Sequence, residues 1–248
     1  MIEVRNKTIV VWFSCGAASA VAAKITLELY GEHNNVLIVN TPIQQEHHDN
    51  QRFLQDIQQK LQHPILTAIN PEYPHGSITE IFDQIGLMKN REFAPCTHYL
   101  KVQSRFHFEK THKIDYRVMG FTVDEWERQK KFSMMERKSL PVLVSQLITK
   151  KECFDIISKW GVQLPEMYKL GFKNSNCMGC VKASSPAYWN MIRKYFPDVF
   201  EQRVQQSRKH GCKLVVLKQK RIFLDELPND ALGGKLGEWE CGLFCDTY

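Results

Sequence analysis

Four of the cysteines in this chain stand in two close pairs: Cys177 and Cys180 in "NSNCMGCVKASSP", and Cys241 and Cys245 in "EWECGLFCDTY". A Cys-x-x-Cys spacing lets two thiolates reach one metal from a single tight turn. Cys241 and Cys245 are one residue further apart. Together the pairs offer a four-thiolate set, which suits zinc or an iron–sulfur cluster. Cys96, in "APCTHYLKV", is a fifth candidate. The competing reading is packing, because a cysteine thiol is commonly buried as a small hydrophobe. That reading suits Cys153 and Cys212, which stand alone in helical or strand-like text. Two close pairs fit it poorly.

The redox setting matters for these thiols. The chain has 248 residues, 43% of them hydrophobic and 24% charged, an ordinary balance for a soluble globular protein. No apolar run approaches the roughly 20 residues that span a bilayer, and no membrane partner is expected. The opening "MIEVRNKTIVVWF" is too short and too quickly polar for a secretory signal. The expectation is a cytoplasmic protein whose thiols stay reduced. A formal net charge of +6 suits a polyanionic partner, either a nucleotide or a nucleic acid. The local basic runs "ERQKKF", "RKHGCK" and "KQKR" read equally as solvated faces.

The elements that must position the chemistry alternate. "TIVVWF" has the β-branched and aromatic content of a buried strand. "SCGAAS" is a small-residue turn, and "AVAAKITLELYG" is a helix ending at Gly31. "NVLIVNT" is a second strand, "HDNQRFLQDIQQKLQ" an amphipathic helix and "HPILTAIN" a third strand. "YRVMGFT" and "SLPVLV" read as further strands, and "TKKECFDIISKWG" as a helix opened by a capping box of Thr149 and Glu152. This alternation predicts an α/β fold with a doubly wound, mostly parallel sheet. From about residue 163 the text becomes loop-rich and then helical, with a break before Pro197. Two regions are therefore expected: a nucleotide-binding domain over 1–162, and a cysteine-bearing helical and loop region over 163–248.

In a parallel sheet, ligands bind beyond the carboxyl ends of the strands. The turn Ser14, Cys15, Gly16, Ala17, Ala18 and Ser19 leads into a helix N-terminus, where backbone N–H groups and the helix dipole attract anions. It is neither a Walker A loop nor a Rossmann fingerprint. The bland alternative is that small residues let the helix pack on the strand. Asn40, Thr41, Glu46 and His47 follow the second strand and are expected beside this turn. Cys15 reads either as a reactive thiol at a helix N-terminus or as a small hydrophobe in a tight turn.

At these residues the chain resembles the PP-loop (adenine nucleotide α-hydrolase-like) superfamily and, within it, the phosphoadenosine phosphosulfate reductase family. The resemblance rests on "VVWFSCGAAS", on "LIVNTPIQQEHHDNQRF", on Cys96 ahead of Lys101 and Val102, on "CMGC" and on "ECGLF". It runs from the first strand to the last residues. The stretch from "GFKNSNCMGCVKASSPAYWNMIRKYFPDVF" through "FLDEL" to "ECGLFC" resembles a subgroup common in phage and prophage genomes. The departures are Cys15 in place of a glycine, Ala18 in place of the aspartate of ATP-pyrophosphatases, and Phe244 in place of a histidine after "ECGL". Only one cysteine precedes "KV", where cluster-bearing members have two.

The resemblance implies an adenine nucleotide or adenylyl sulfate at the Ser14–Ser19 turn, with Asn40, Thr41 and Glu46 near it. It implies a 4Fe-4S cluster, with zinc as the alternative, held by ligands drawn from Cys96, Cys177, Cys180, Cys241 and Cys245. Three functions compete. A sulfonucleotide reductase would use Cys241 as the nucleophile that attacks sulfate sulfur, with Lys101 and Arg128 balancing charge and a thioredoxin-like dithiol releasing sulfite. An ATP-dependent sulfurtransferase would thiolate tRNA, DNA or a base. A non-catalytic nucleotide-binding module would keep a structural zinc. Lys130 shares the expected anion-binding role of Arg128, and a homodimer is one assembly to test.

Overall fold

The computed structural model describes residues 4–90, 93–136 and 138–233. In chain order its main elements are β1 (Thr8–Phe13), α1 (Ala17–Tyr30), β2 (Asn35–Asn40), α2 (Asp49–Leu61), β3 (Ile65–Thr67), α3 (Ile78–Ile85), α4 (Gln103–His112) and β4 (Tyr116–Val118). They continue with α5 (Trp126–Met135), α6 (Lys150–Lys159), α7 (Pro186–Tyr195), α8 (Pro197–Lys209), β5 (Val215–Leu217) and β6 (Lys220–Ile222). The chain forms two compact units. Unit 1 takes the residues up to Pro42, His48–Ile69 and Arg105–Lys169; unit 2 takes Ile43–His47, Asn70–Ser104 and the chain from Leu170 on. This division differs from a cut at 162/163, because unit 2 also gathers two earlier stretches.

Unit 1 holds a four-stranded parallel sheet in the order β3-β2-β1-β4. Every residue of β1 is β-branched or aromatic, and both its faces are covered. Ile9, Val11 and Phe13 join Ala17, Ala20, Ala23, Phe53 and Ile57 in one core. Phe13 stacks on Phe53 of α2 with ring centroids 6.3 Å apart. On the opposite face Trp12 meets Phe108 of α4 edge-on at 5.9 Å. Alanines fully buried on α1 let that helix lie close to the sheet, as the small-residue reading of this segment requires. The sheet is α/β and parallel, as expected.

One predicted strand is absent. In "SLPVLV" the contact with the sheet is a single bridge between Ser139 and Arg117, with the Leu140 N–H donating to the Arg117 carbonyl at 2.9 Å, and Val142–Ser145 is a helical turn. Pro141 has no N–H to give a ladder, so a β-branched composition is overridden there. The capping box of α6 forms as read, with Thr149 accepting from the Glu152 N–H and Glu152 accepting from the Thr149 N–H.

Unit 2 packs α7 against α8, with the break at Phe196 just ahead of Pro197. Trp189 is fully buried there and donates from Nε1 to the Ala183 carbonyl at 3.1 Å. A π-helical turn, His98–Val102, follows Cys96. Such turns replace the regular hydrogen-bond ladder and often mark functional positions. The hairpin of β5 and β6 completes the unit. Among the described residues no helix is long and apolar enough to cross a membrane.

Candidate functional site

The order of the unit 1 sheet makes a switch point between β1 and β4, because the chain builds outward to β3 and then returns to the other side of β1. Open α/β sheets hold ligands at such points. The Ser14–Ser19 turn sits at the end of β1, and Gly120 follows β4. A Cβ on Gly120 would lie 2.7 Å from both Cα and N of Ser19, so only glycine admits this approach. The turn is braced from within. Ser19 Oγ donates to the Gly16 carbonyl at 2.9 Å and accepts from the Ser14 N–H at 3.1 Å. Asn40 Nδ2 donates to the Phe13 carbonyl at 2.8 Å and to Cys15 Sγ at 3.5 Å.

Gly16 caps α1 without a side-chain hydrogen bond, and the first turn of α1 carries no acid. The amides at this end are therefore presented without a side-chain cap. Tyr168 stands over the turn, its hydroxyl 3.2 Å from where a Gly16 Cβ would be. Cys15 has a left-handed φ of 55° and its side chain is 2% exposed. The packing reading of Cys15 fits this burial. Thr41 is buried at the start of the following loop. Arg128 on α5 is ion-paired with Glu125, and its guanidinium lies 4.6 Å from the centre of the Phe121 ring. Lys130 lies over Trp126 at 5.1 Å.

Unit 2 brings Cys96, Cys177 and Cys180 around one small cavity, together with Ile43, Lys182 and Arg203. The turn that carries the pair depends on Gly179, whose φ is +64°. A Cβ there would also lie 3.0 Å from Val199 Cγ1 and 3.1 Å from Arg203 Cγ. Backbone bonds fix the turn: Cys180 N–H donates to the Tyr188 hydroxyl at 2.8 Å, and Met178 N–H donates to the Gln45 carbonyl at 3.0 Å. Burial pushes the Tyr188 phenol well above its ordinary range, with the Cys180 thiol adding to the effect. Tyr188 therefore serves this turn as a neutral hydrogen-bonding group.

Arg203 is the unusual member. It is 0% exposed, its Nε donates to the Gly179 carbonyl at 2.9 Å and its Nη1 to Gln206. Its Nη2 has no partner among the described residues. Burial draws the guanidinium below its ordinary value, while Cys177, Cys96, Tyr188 and Cys180 act in the opposite direction. A guanidinium stays protonated in proteins. A buried cation with an open donor beside three thiols is costly unless negative charge arrives. Thiolates binding a metal group would supply that charge.

Among the described residues no group of three or more His, Cys, Asp or Glu side chains is set to hold a single metal ion. Cys96, Cys177 and Cys180 line a small cavity instead, and soft thiol donors beside a buried cation suit a thiolate-bound metal group, zinc or an iron–sulfur cluster. Cys241 and Cys245, expected to complete the set, lie outside the described residues, as does the proposed nucleophilic role of Cys241.

Lys101 and Glu46 come together in unit 2, with Nζ 3.5 Å from Oε1 and side chains 7% and 10% exposed. Lys101 was expected at an anion and Glu46 near the nucleotide; among the described residues the two form an ion pair. His47 is buried against Phe196 at 5.7 Å. Sequence reasoning missed Arg203, Tyr168, Tyr188 and Gly120. Gly120 had a signal, a glycine directly after a buried strand. Arg203 had none, because it stands in the polar text "FEQRVQQSRK" of an ordinary amphipathic helix.

No family model matches the chain, and no curated protein matches it. Among solved structures the chain is similar to U34-tRNA thiolase NcsA from Methanococcus maripaludis with its 4Fe-4S cluster. The identity is 12%, the match covers 98% of this chain and 80% of that one, and the TM-score is 0.46.

Proposed function

We propose that this chain is a nucleotide-dependent sulfur-transfer enzyme of the PP-loop type that carries an iron–sulfur cluster in unit 2. The observation that carries the reading is Arg203: a fully buried cation with an open donor, set among Cys96, Cys177 and Cys180. These cysteines would hold the cluster, with Cys241 or Cys245 as the fourth ligand. When bound, the cluster supplies a place for sulfur to be held and handed on.

The chain's own residues do the rest. Uncapped amides at the start of α1 take phosphate oxygens, and the helix dipole reinforces them. Gly120 and the Ser14–Ser19 bonds hold that turn in shape before a ligand arrives, which lowers the ordering cost of binding. The nucleotide would activate an acceptor oxygen as an adenylate with loss of pyrophosphate. Sulfur then replaces that oxygen and AMP leaves. Arg203 balances the negative charge of the thiolates throughout.

A second reading, the sulfonucleotide reductase, is favoured by one observation: the first turn of α1 has no acid, with Ala18 where ATP-cleaving relatives carry aspartate. Against it, Lys101 is engaged by Glu46 and Arg128 by Glu125, which takes up the cations assigned to sulfate. The deciding experiment starts with anaerobic purification and measurement of iron, sulfide, zinc and absorbance near ~400 nm, where thiolate-ligated clusters absorb. The loaded protein is then given ATP, sulfide and RNA, or an adenylyl sulfate and a dithiol. Thiolated RNA with AMP supports the first reading and sulfite the second. Zinc without iron defeats the first reading and leaves the second to the sulfite assay.

A further inference from the structure

Unit 2 carries a cationic surface that the cluster and the nucleotide turn leave unexplained. Three stretches without a single carboxylate meet in it: 84–91, 167–197 and 202–224. The first supplies Lys89, the second Lys182, and the third the hairpin with Lys213, Lys218, Lys220 and Arg221. The Lys89 carbonyl accepts from Cys212 Sγ at 3.6 Å, and Arg221 Nη1 donates to the Lys213 carbonyl at 3.5 Å, so the first stretch and the hairpin lie side by side. The neighbouring cations are balanced: Arg208 meets Asp225 and Glu226, and Lys209 meets Asp83. None of the six has a carboxylate within ion-pair distance among the described residues.

The hairpin is tied to the cysteine turn. Val216 N–H donates to the Ser184 carbonyl at 2.8 Å, and Ala183 N–H to the Cys180 carbonyl at 3.0 Å. The two turn residues, Lys218 and Gln219, both have positive φ, at 47° and 65°. Glycine or asparagine would adopt that conformation at least cost. The tip holds long polar side chains in their place. Lys218, Gln219, Lys220 and Arg221 are all exposed, and no apolar side chain stands among them to enter a lipid surface.

We infer that the β5–β6 hairpin, with Lys89, Lys182 and Lys213, is a docking surface for the phosphodiester backbone of a nucleic acid, which it brings to the cysteine turn. A narrow two-stranded ribbon with cations clustered at its turn and on β6 suits a polymer of regularly spaced phosphates. An acidic protein would need matching geometry, and a membrane would need apolar anchors. This inference rests on the sulfur-transfer reading for its purpose, since an acceptor must reach the thiols, but the binding itself can be measured without it.

The test compares the full-length chain with the triple variant Lys218→Ala/Lys220→Ala/Arg221→Ala. A charge-matched control carries Lys60→Ala/Lys151→Ala/Lys159→Ala, all exposed positions of unit 1. Anisotropy of labelled single-stranded and hairpin RNA is followed across a salt series, with polyglutamate and anionic phosphatidylserine vesicles as competing probes. The expected result is a loss of about tenfold or more in RNA affinity for the hairpin variant alone, with the salt slope reduced by about two to three. Cross-linking of RNA to the hairpin gives an independent readout. Equal loss in the control, unchanged binding in the hairpin variant, or equal affinity for polyglutamate or vesicles would overturn the inference. Iron content is read on the same samples. Hairpin-dependent RNA binding supports the surface whether or not iron is present, and absence of iron strikes only at the cluster.

Discussion

Arg203 sits where a charge is least welcome, and its neighbours show what would make it welcome. A hydrogen bond to a charged group contributes about 1.5–3 kcal/mol, roughly ten- to a hundredfold in an equilibrium. The Arg203→Met variant should therefore lose its iron roughly tenfold or more readily under a chelator challenge, while the melting temperature of metal-free protein moves far less. Equal effects on both forms would mean that the arginine only packs. The Lys101–Glu46 pair makes the opposite case. Both members are nearly buried, so removing one leaves a desolvated charge without its counter-ion. Lys101→Met should destabilise the protein by about 3–5 kcal/mol, and the double variant with Glu46→Gln should recover much of it. Denaturant melts of the single and double variants check this. The sequence marked Lys101 and Glu46 as polar residues of interest but not as partners, because they lie 55 positions apart and neither text mentions the other. Arg203 was wholly illegible for a related reason: burial of an arginine is decided by the elements around it.

At the scale of elements, α2 is clamped to the chain that follows α6. Arg52 donates from Nε and Nη2 to the two Asp49 oxygens at 2.6 and 2.8 Å. It also donates to the carbonyls of Gln163 and Leu164, each at 3.2 Å. Asp49 accepts from the Glu166 N–H at 2.8 Å. The hydrogen bond from Arg52 holds the Asp49 carboxyl at about 2, against an ordinary 3.8, with burial opposing. A depressed carboxyl stabilises the fold above its unfolded value and loses that contribution as pH falls through its folded value. Acid unfolding of the native chain should thus steepen between about pH 4 and pH 2. Asp49→Asn should be less stable at neutral pH and flatter across that window, as followed by circular dichroism. Strands and helices of this unit were largely legible because burial on two faces writes continuous apolar runs. "SLPVLV" misled because its composition imitates a strand while Pro141 withholds the hydrogen bond a strand needs.

For the whole molecule, the proposed nucleotide turn and the proposed cluster site lie on residues of different units, so each should fail alone. Cys177→Ala should abolish iron loading yet leave nucleotide affinity within about twofold, the scatter expected for uncoupled sites. Gly120→Ala should weaken nucleotide binding and spare iron. Calorimetry with an adenine nucleotide, run beside iron analysis, separates the two. The parallel sheet was readable from alternation, whereas the division into units was not. Unit 2 is assembled from three separated stretches, and composition along a chain cannot reveal which distant pieces will share a core.

Cys15 offers a built-in gauge of opening. Its thiol is sealed behind a left-handed backbone and the Asn40 amide, so an alkylating reagent meets it only when the first strand and helix part. Pulsed labelling followed by peptide mass analysis would time that parting directly. Nucleotide should slow the tagging of position 15 by the factor with which it occupies the turn. An unchanged tagging rate at saturating nucleotide would place the ligand elsewhere.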